Sequence, residues 1–399
     1  MSAIVIDLTQ SNDLRDVVHR TVQSLAEGGI VAVPTETVYG LAARALMPGA
    51  VERLRDVKGR ADNHPWTLAV RSFEEAYDYA PCAPPLARRL ARRCWPGPLT
   101  LVLNRSDRPS LLDELDPLVR HMVAPGQTIG FRVPAHDVVL DVLQLSIGPL
   151  VLTSANRSGE PPCMDGREIA SQLGEGIDLI LDEGKPRFSQ PSTVIHVHDH
   201  TITILRRGVL DESTLRRFAS LHIVLVCTGN TCRSPMAECL LKHHLAQRLG
   251  LTTDQLETSG ITVQSAGLHT QTGLPPSEQA VAVMADRGLD LAGHRSQPAQ
   301  MQQLEHADLV LTMTRQHREL LLAHVPHLAD RIRTLRPDGG DIADPIGGSV
   351  QDYRECAEQI EQGLLTWIDR LEPDWKPPQL MMAEETERPA SDTGRKASG

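Results

Sequence analysis

Apolar and polar positions alternate along the chain in short runs, and most runs have the two-residue period of strands rather than the longer period of helices. Candidate strands cover residues 29–34, 67–70, 99–103, 128–133, 150–153, 179–181, 193–198 and 202–205. Helical patterns lie between some of them, over 14–27 and 50–58. Residues 1–210 therefore read as an α/β unit with a twisted mixed sheet. Residues 211–220 read as a short polar connector. From 221 to 372 strand and helix alternate, which predicts a second α/β unit with a parallel, doubly wound sheet. A ligand of such a sheet sits at the carboxyl end of a strand, where Cys227 follows the apolar run of Ile223 to Val226. From 373 to 399 the chain is rich in Pro, Glu, Ser and Gly and is expected to be disordered. No internal repeat relates the two halves.

At 399 residues with 41% hydrophobic content, two cores of ordinary size are affordable, although aromatics make up only 3%. The net charge of −11 argues against a protein that coats nucleic acid unspecifically. Seven cysteines form no paired framework, and Met1 to Asp7 carries no signal-peptide pattern. The expected location is cytoplasmic, with reduced thiols. No apolar run reaches the roughly 20 residues that span a bilayer, so no membrane partner is expected.

The chemistry is densest at Cys227-Thr228-Gly229-Asn230-Thr231-Cys232-Arg233-Ser234. A loop between a strand and a helix N-terminus leaves several backbone N–H groups pointing inward, and such a nest binds anions. The same field favours the nucleophilic thiolate of Cys227. The planar fork of Arg233 suits two oxygens of a phosphoryl group. Gly229 and Asn230 tolerate compact backbone, Ser234 places a hydroxyl near the sulfur, and Pro235 suits a first helical turn. Asp344-Pro345, on a Gly-rich loop, supplies a carboxylate fit to protonate a leaving group.

This loop, with Ser265-Ala266-Gly267, the 307–313 strand and Asp344-Pro345, resembles the low-molecular-weight protein-tyrosine phosphatase family over roughly residues 221–370. The resemblance implies Cys227 as nucleophile, Arg233 as phosphate clamp and Asp344 as general acid. It implies a phosphoprotein substrate and no cofactor. Members directed at tyrosine carry aromatic residues after the Asp-Pro pair, where this chain has Ile346-Gly347-Gly348. Ile346 and Thr231 look more like the bacterial protein-arginine phosphatase branch, in which a threonine in the loop favours phosphoarginine. That branch usually has phenylalanine at the position of Ile346, so phosphoarginine and phosphotyrosine both stay open. Thiol-dependent arsenate reduction on the same fold needs further cysteines, and none occurs between Cys239 and Cys356. Cys232 is either a loop-packing thiol or a partner for a disulfide with Cys227.

In the first unit, Pro34-Thr35-Glu36-Thr37-Val38-Tyr39-Gly40, Lys58-Gly59-Arg60, Phe131-Arg132-Val133-Pro134, Thr153-Ser154-Ala155-Asn156, Pro191-Ser192-Thr193 and Leu205-Arg206-Arg207-Gly208 each pair a strand or helix end with a hydroxyl, amide or cation. Taken singly, such groups are also ordinary solvated ends. Together they suit a polyanion. No Walker-type glycine loop is present. The set resembles the YrdC-like family of threonylcarbamoyl-AMP synthases over roughly residues 10–208. That resemblance implies condensation of L-threonine, bicarbonate and ATP, the last with Mg2+, into threonylcarbamoyl-adenylate and pyrophosphate. The product serves tRNA modification, so tRNA or a tRNA-modifying transferase is an expected partner. Thr35, Thr37, Arg132 and Ser192 fall on the threonine side, and Lys58, Arg60, Ser154, Asn156 and Arg206 on the nucleotide side. Ala69 stands where longer synthases carry a histidine, with His64 nearby, and Pro162-Cys163-Met164 stands where Ser or Thr often follows the Ser-Gly pair. The rival reading is an RNA-binding module without synthase activity, for which Arg88, Arg89, Arg92 and Arg93 offer a basic strip on one helix. His196, His198 and His200 alternate on a strand, as an exposed edge or a metal site does.

Overall fold

The computed structural model describes residues 3–59, 65–371 and 377–383. The chain divides into two compact units, 1–218 with 379–399, and 219–378. In the first, ten strands follow in order among the described residues: β1 (Ile4–Asp7), β2 (Val31–Val33), β3 (Gly40–Arg44), β4 (Thr67–Ala69), β5 (Leu99–Asn104), β6 (Thr128–Arg132), β7 (Leu150–Ser154), β8 (Leu179–Asp182), β9 (Thr193–His198) and β10 (Thr201–Arg206). The second unit holds β11 (Leu221–Cys227), β12 (Ile261–Gly267), β13 (Leu309–Thr312) and β14 (Ile332–Thr334). Lastly β15 (Gln379–Met382) adds to the first unit, parallel to β10.

Among the described residues the first sheet runs β1-β8-β2-β3-β7-β4-β6-β5-β9-β10-β15, with parallel and antiparallel neighbours mixed. Two of its helices, Leu14–Ala26 and Asp137–Leu145, bury Val17, Val18, Val138 and Val142 against β2, β3 and β8. The second sheet runs β12-β11-β13-β14 and is parallel throughout. β11 shows why it is covered on both faces. Ile223 and Leu225 pack into one core with the helices Arg233–Leu249 and Val350–Arg370, while Val224 and Val226 pack into another with Leu304, Leu321 and Val325. Strand side chains alternate in direction, so an unbroken apolar run needs two cores.

Four elements differ from the sequence expectation. The connector 211–220 contains a helix, Glu212–Ala219, that buries Leu215 and Ala219. The stretch from 373 expected to be disordered contributes β15. β1 and β3 were not foreseen: β1 is a short, largely exposed edge strand, and β3 reads Gly-Leu-Ala-Ala-Arg, with no β-branched residue.

Candidate active sites

In the second unit β11 ends at Cys227, and the following loop turns into the helix Arg233–Leu249. Two local features make the turn. Asn230 adopts φ 53°, a left-handed conformation that asparagine accepts more readily than most residues. Gly267 lets β12 pass close by, since a Cβ there would lie 2.8 Å from the Thr228 carbonyl oxygen. The helix starts at Cys232 with no side-chain cap, so its first N–H groups stay available to an anion.

Cys227 Sγ is buried and receives the Asn230 backbone N–H at 3.2 Å, with Ser234 Oγ at 2.9 Å. Asn230 Nδ2 donates to Ser234 Oγ and Ser265 Oγ, both at 2.9 Å, and Asn230 Oδ1 accepts from Gln297 N at 2.8 Å. These bonds hold the strained residue and aim the Ser234 hydroxyl. Arg233 is 5% exposed; it donates to the Ile342 carbonyl at 3.0 Å and to Thr228 Oγ1 at 3.5 Å, and pairs with Asp344 Oδ2. Residues 227, 233 and 344 thus meet across more than a hundred positions of sequence. Thr231 lies beside Cys232, its hydroxyl 3.7 Å from that sulfur, and its carbonyl accepts from Ser277 N. Cys232 Sγ faces Ser277 Oγ at 3.4 Å and Tyr353 OH at 3.3 Å, and both Cys227 and Cys232 are free thiols. Burial first, then the bond with Cys232, pushes the Tyr353 hydroxyl up to about 12. Ile346 is 69% exposed on the rim. His317 escaped the sequence reading because nothing local marks it. It is buried, and its Nε2 lies 2.9 Å from Thr228 Oγ1. Burial, and then the cation of Arg233, lower its pKa to about 4.

In the first unit Lys58 ends the helix Pro48–Lys58 and is buried. Its Nζ donates to Ser154 O at 2.6 Å, Ser154 Oγ at 3.1 Å and Asn156 Oδ1 at 2.6 Å. Those bonds match the three donors of an ammonium. Arg60 and His64 lie outside the described residues. Arg132 Nη2 donates to Glu36 Oε1 and Thr37 Oγ1, each at 2.7 Å, and Thr35 Oγ1 lies 2.9 Å from Thr37 Oγ1. Nothing local in the 34–40 segment marks Glu36, because its partner stands 96 residues away. Ser192, expected on the threonine side, is bonded to Arg206: Nη2 reaches its carbonyl at 3.0 Å and its hydroxyl at 3.1 Å, while Thr100 Oγ1 lies 2.9 Å from that hydroxyl. Gly208 permits this approach, because a Cβ there would lie 2.3 Å from the Pro191 carbonyl oxygen. A cavity of about 260 Å³ is lined by Thr35, Glu36, Tyr39, His136, Lys185 and Arg187, among others. Tyr39 OH is anchored on Gly184 O at 2.8 Å, and burial raises it well above an ordinary phenol. Ala69 is buried in β4, and Cys163 is buried with its thiol raised to about 11, chiefly by burial.

The basic strip and the histidine run have internal partners. Arg89 is buried, Arg88 sits 5.1 Å from the Phe73 ring centroid, and Arg93 donates to the Phe218 carbonyl. His196 Nε2 lies 2.8 Å from Asn104 Oδ1. Among the described residues no helix is long and apolar enough to cross a membrane.

Comparison with known proteins divides the chain at the same place. The family model described as telomere recombination, that of YrdC and its relatives, matches residues 23–208. The model described as low molecular weight phosphotyrosine protein phosphatase matches residues 222–376. A threonylcarbamoyl-AMP synthase of Pyrococcus abyssi is 38% identical over 187 residues, 47% of this chain and 52% of that protein. The chain thus spans about half the length of that relative. A putative threonylcarbamoyl-AMP synthase of Mycobacterium tuberculosis is 34% identical over 207 residues, 50% of this chain and 91% of that protein. A protein-arginine-phosphatase of Bacillus subtilis is 35% identical over 158 residues, 39% of this chain and 99% of that protein.

Proposed function

Since the chain belongs to the YrdC family of threonylcarbamoyl-AMP synthases through its N-terminal half and to the low-molecular-weight phosphatase family through its C-terminal half, we propose that it is a bifunctional enzyme. The C-terminal half hydrolyses a phosphoprotein through a phosphocysteine. The Cys227 thiolate attacks phosphorus as the bond to the leaving group breaks, and Asp344 delivers a proton to the departing atom. Water then attacks the phosphocysteine, losing a proton to Asp344, and releases phosphate and the thiolate. The loop's N–H groups and Arg233 hold the phosphoryl oxygens throughout. No cofactor enters these steps. The observation that carries this reading is the meeting of Cys227, Ser234, Arg233 and Asp344 around one anion-ready helix N-terminus. Thr231 in the loop and the exposed aliphatic Ile346 on the rim favour phosphoarginine, because a phenyl ring finds little to stack on.

The N-terminal half joins L-threonine, bicarbonate and ATP. The threonine amine and bicarbonate condense to a carbamate with loss of water, a carbamate oxygen attacks the α-phosphorus, and pyrophosphate leaves; Mg2+ bound to the nucleotide would offset the triphosphate charge. Lys58, Arg60, Ser154, Asn156 and Arg206 serve the nucleotide; Thr35, Thr37, Arg132 and Ser192 serve threonine. The buried Lys58–Ser154–Asn156 knot supports this reading, since an ammonium so held gives up its longest bond, to Ser154 Oγ, for a phosphate oxygen at least cost. The adenylate is handed to a tRNA-modifying transferase or its tRNA, and the reactions belong to the cytoplasm. Threonine-dependent pyrophosphate release tests this half, and kcat/KM on phosphoarginine against phosphotyrosine tests the other. Release indifferent to threonine, or a preference for phosphotyrosine, removes the corresponding assignment.

A further inference from the structure

His317 stands in the first turn of the helix Arg315–His324. Its own N–H is capped by Thr314 Oγ1 at 3.2 Å, and the same turn is tied down by Arg315 N, which donates to Asp341 Oδ1 at 2.8 Å. The ring is therefore rigidly mounted. It is 6% exposed and points one nitrogen at the phosphate loop, with Nε2 2.9 Å from Thr228 Oγ1. The other nitrogen, Nδ1, is buried and has no hydrogen-bond partner among the described residues.

These contacts assign the protons. Arg233 can only donate, so its Nη2 takes one lone pair of Thr228 Oγ1. A buried N–H without an acceptor is rarer than an unfilled acceptor, which puts the imidazole proton on Nε2 rather than Nδ1. His317 then fills the second lone pair of Thr228 Oγ1. The hydroxyl is fixed from two sides, and its own proton is left for the open mouth of the loop, where Thr228 is exposed. Arg233 in turn is steadied by the Ile342 carbonyl and by a Thr228 hydroxyl that cannot rotate away. The neutral ring does this without setting a second cation beside the guanidinium, in keeping with its lowered pKa.

We propose that His317 is a positioning residue of the phosphatase half, holding Arg233 in its transition-state orientation through the side-chain hydroxyl of Thr228. The proposal rests on the phosphatase reading above. An interaction that matters most in the transition state lowers kcat more than it raises KM when removed.

The test is a double-mutant cycle on the full-length chain with p-nitrophenyl phosphate as the probe, alongside thermal unfolding of each variant. His317→Ala and Thr228→Val are each expected to cut kcat roughly tenfold, the size of one lost hydrogen bond to a charged site. The double variant should fall no further than the worse single one. His317→Asn, whose amide can still donate, should recover to within about threefold, and Thr228→Ser should stay near wild type. Losses that multiply to roughly 100-fold, an Asn variant as poor as the Ala variant, or a fall in unfolding temperature with kcat unchanged would each overturn the proposal. If His317→Ala does not fold, the contrast of Thr228→Val with Thr228→Ser, together with His317→Asn, still decides it: equal activity of Val and Ser variants sinks it. Cys227→Ser in the same assay separates the two levels. Turnover surviving there removes the phosphatase reading itself, whereas a dead Cys227→Ser with multiplicative losses removes the role of His317 alone.

Discussion

Replacing Asp344 with asparagine should separate binding from catalysis in opposite directions. Arg233 now grips the Asp344 carboxylate, and an incoming phosphoryl group must displace that carboxylate to reach the same guanidinium. Arg233 is 5% exposed but Asp344 is 39% exposed, so solvent screens part of the pair. Between the value of an exposed ion pair and that of a hydrogen bond to a charged group, about 1–2 kcal/mol is at stake. That converts to roughly 5–30-fold in an equilibrium constant. Asp344→Asn keeps the side-chain shape and removes the competing anion, so the inhibition constant for inorganic phosphate should fall by that factor. Catalysis should move the other way. Loss of a general acid costs roughly 10²–10⁴-fold where the leaving group is poor and much less where it is activated. The assay is steady-state hydrolysis of phenyl phosphate and p-nitrophenyl phosphate, with inorganic phosphate as competitive inhibitor. An unchanged or weaker phosphate affinity refutes the competition, and equal rate losses on the two esters refute Asp344 as the acid.

Cys227→Ser should abolish phosphatase turnover, because a hydroxyl lacks a thiolate's nucleophilicity, while phosphate still binds the loop; loss of binding as well, by calorimetric titration, would contradict this. Arg206→Ala should raise the KM for ATP in pyrophosphate release by roughly tenfold, the scale of one charge-assisted bond, and ATP use at wild-type KM would remove Arg206 from the site. Thr231→Ile should move the ratio of kcat/KM values from phosphoarginine towards phosphotyrosine, and a ratio indifferent to the change would refute the role of the loop threonine. His317, with its pKa lowered to about 4, stays neutral in the fold while the unfolded chain takes up a proton below about 6.5. Its contribution is therefore complete above 6.5 and lost as pH falls towards 4, in surroundings that include Arg233, Asp344, Asp341 and His269. The unfolding temperature of the C-terminal unit should decline over that window by calorimetry, and His317→Asn should flatten the decline; a His317→Asn curve parallel to wild type would exclude this cause.

What was readable in the sequence was what is local. The apolar run into Cys227, the loop that follows it and the strand–helix alternation that makes a parallel sheet are all written within short windows. Partnerships across the chain were not: Arg132 with Glu36, Ser192 with Arg206 and Thr100, and His317 with Thr228 join residues 14 to 96 positions apart. Alanine-rich β3 lacks the β-branched pattern that announces a strand, and the sheet supplies the pairing that propensity does not, whereas β1 is β-branched but only four residues long and largely exposed at the sheet edge. Helix Glu212–Ala219 looked polar because only one face of it is buried.

The central claim is that one chain carries two separate active sites. It is tested most directly by measuring both activities on the full-length protein in wild type, Cys227→Ser and Arg206→Ala. Two independent sites predict that Cys227→Ser releases pyrophosphate from ATP in the presence of threonine and bicarbonate at the wild-type rate with no phosphatase turnover. Arg206→Ala should hydrolyse p-nitrophenyl phosphate at the wild-type rate with impaired use of ATP. Loss of both activities in either variant with the fold intact, or no threonine-dependent pyrophosphate from the wild type, would contradict the claim.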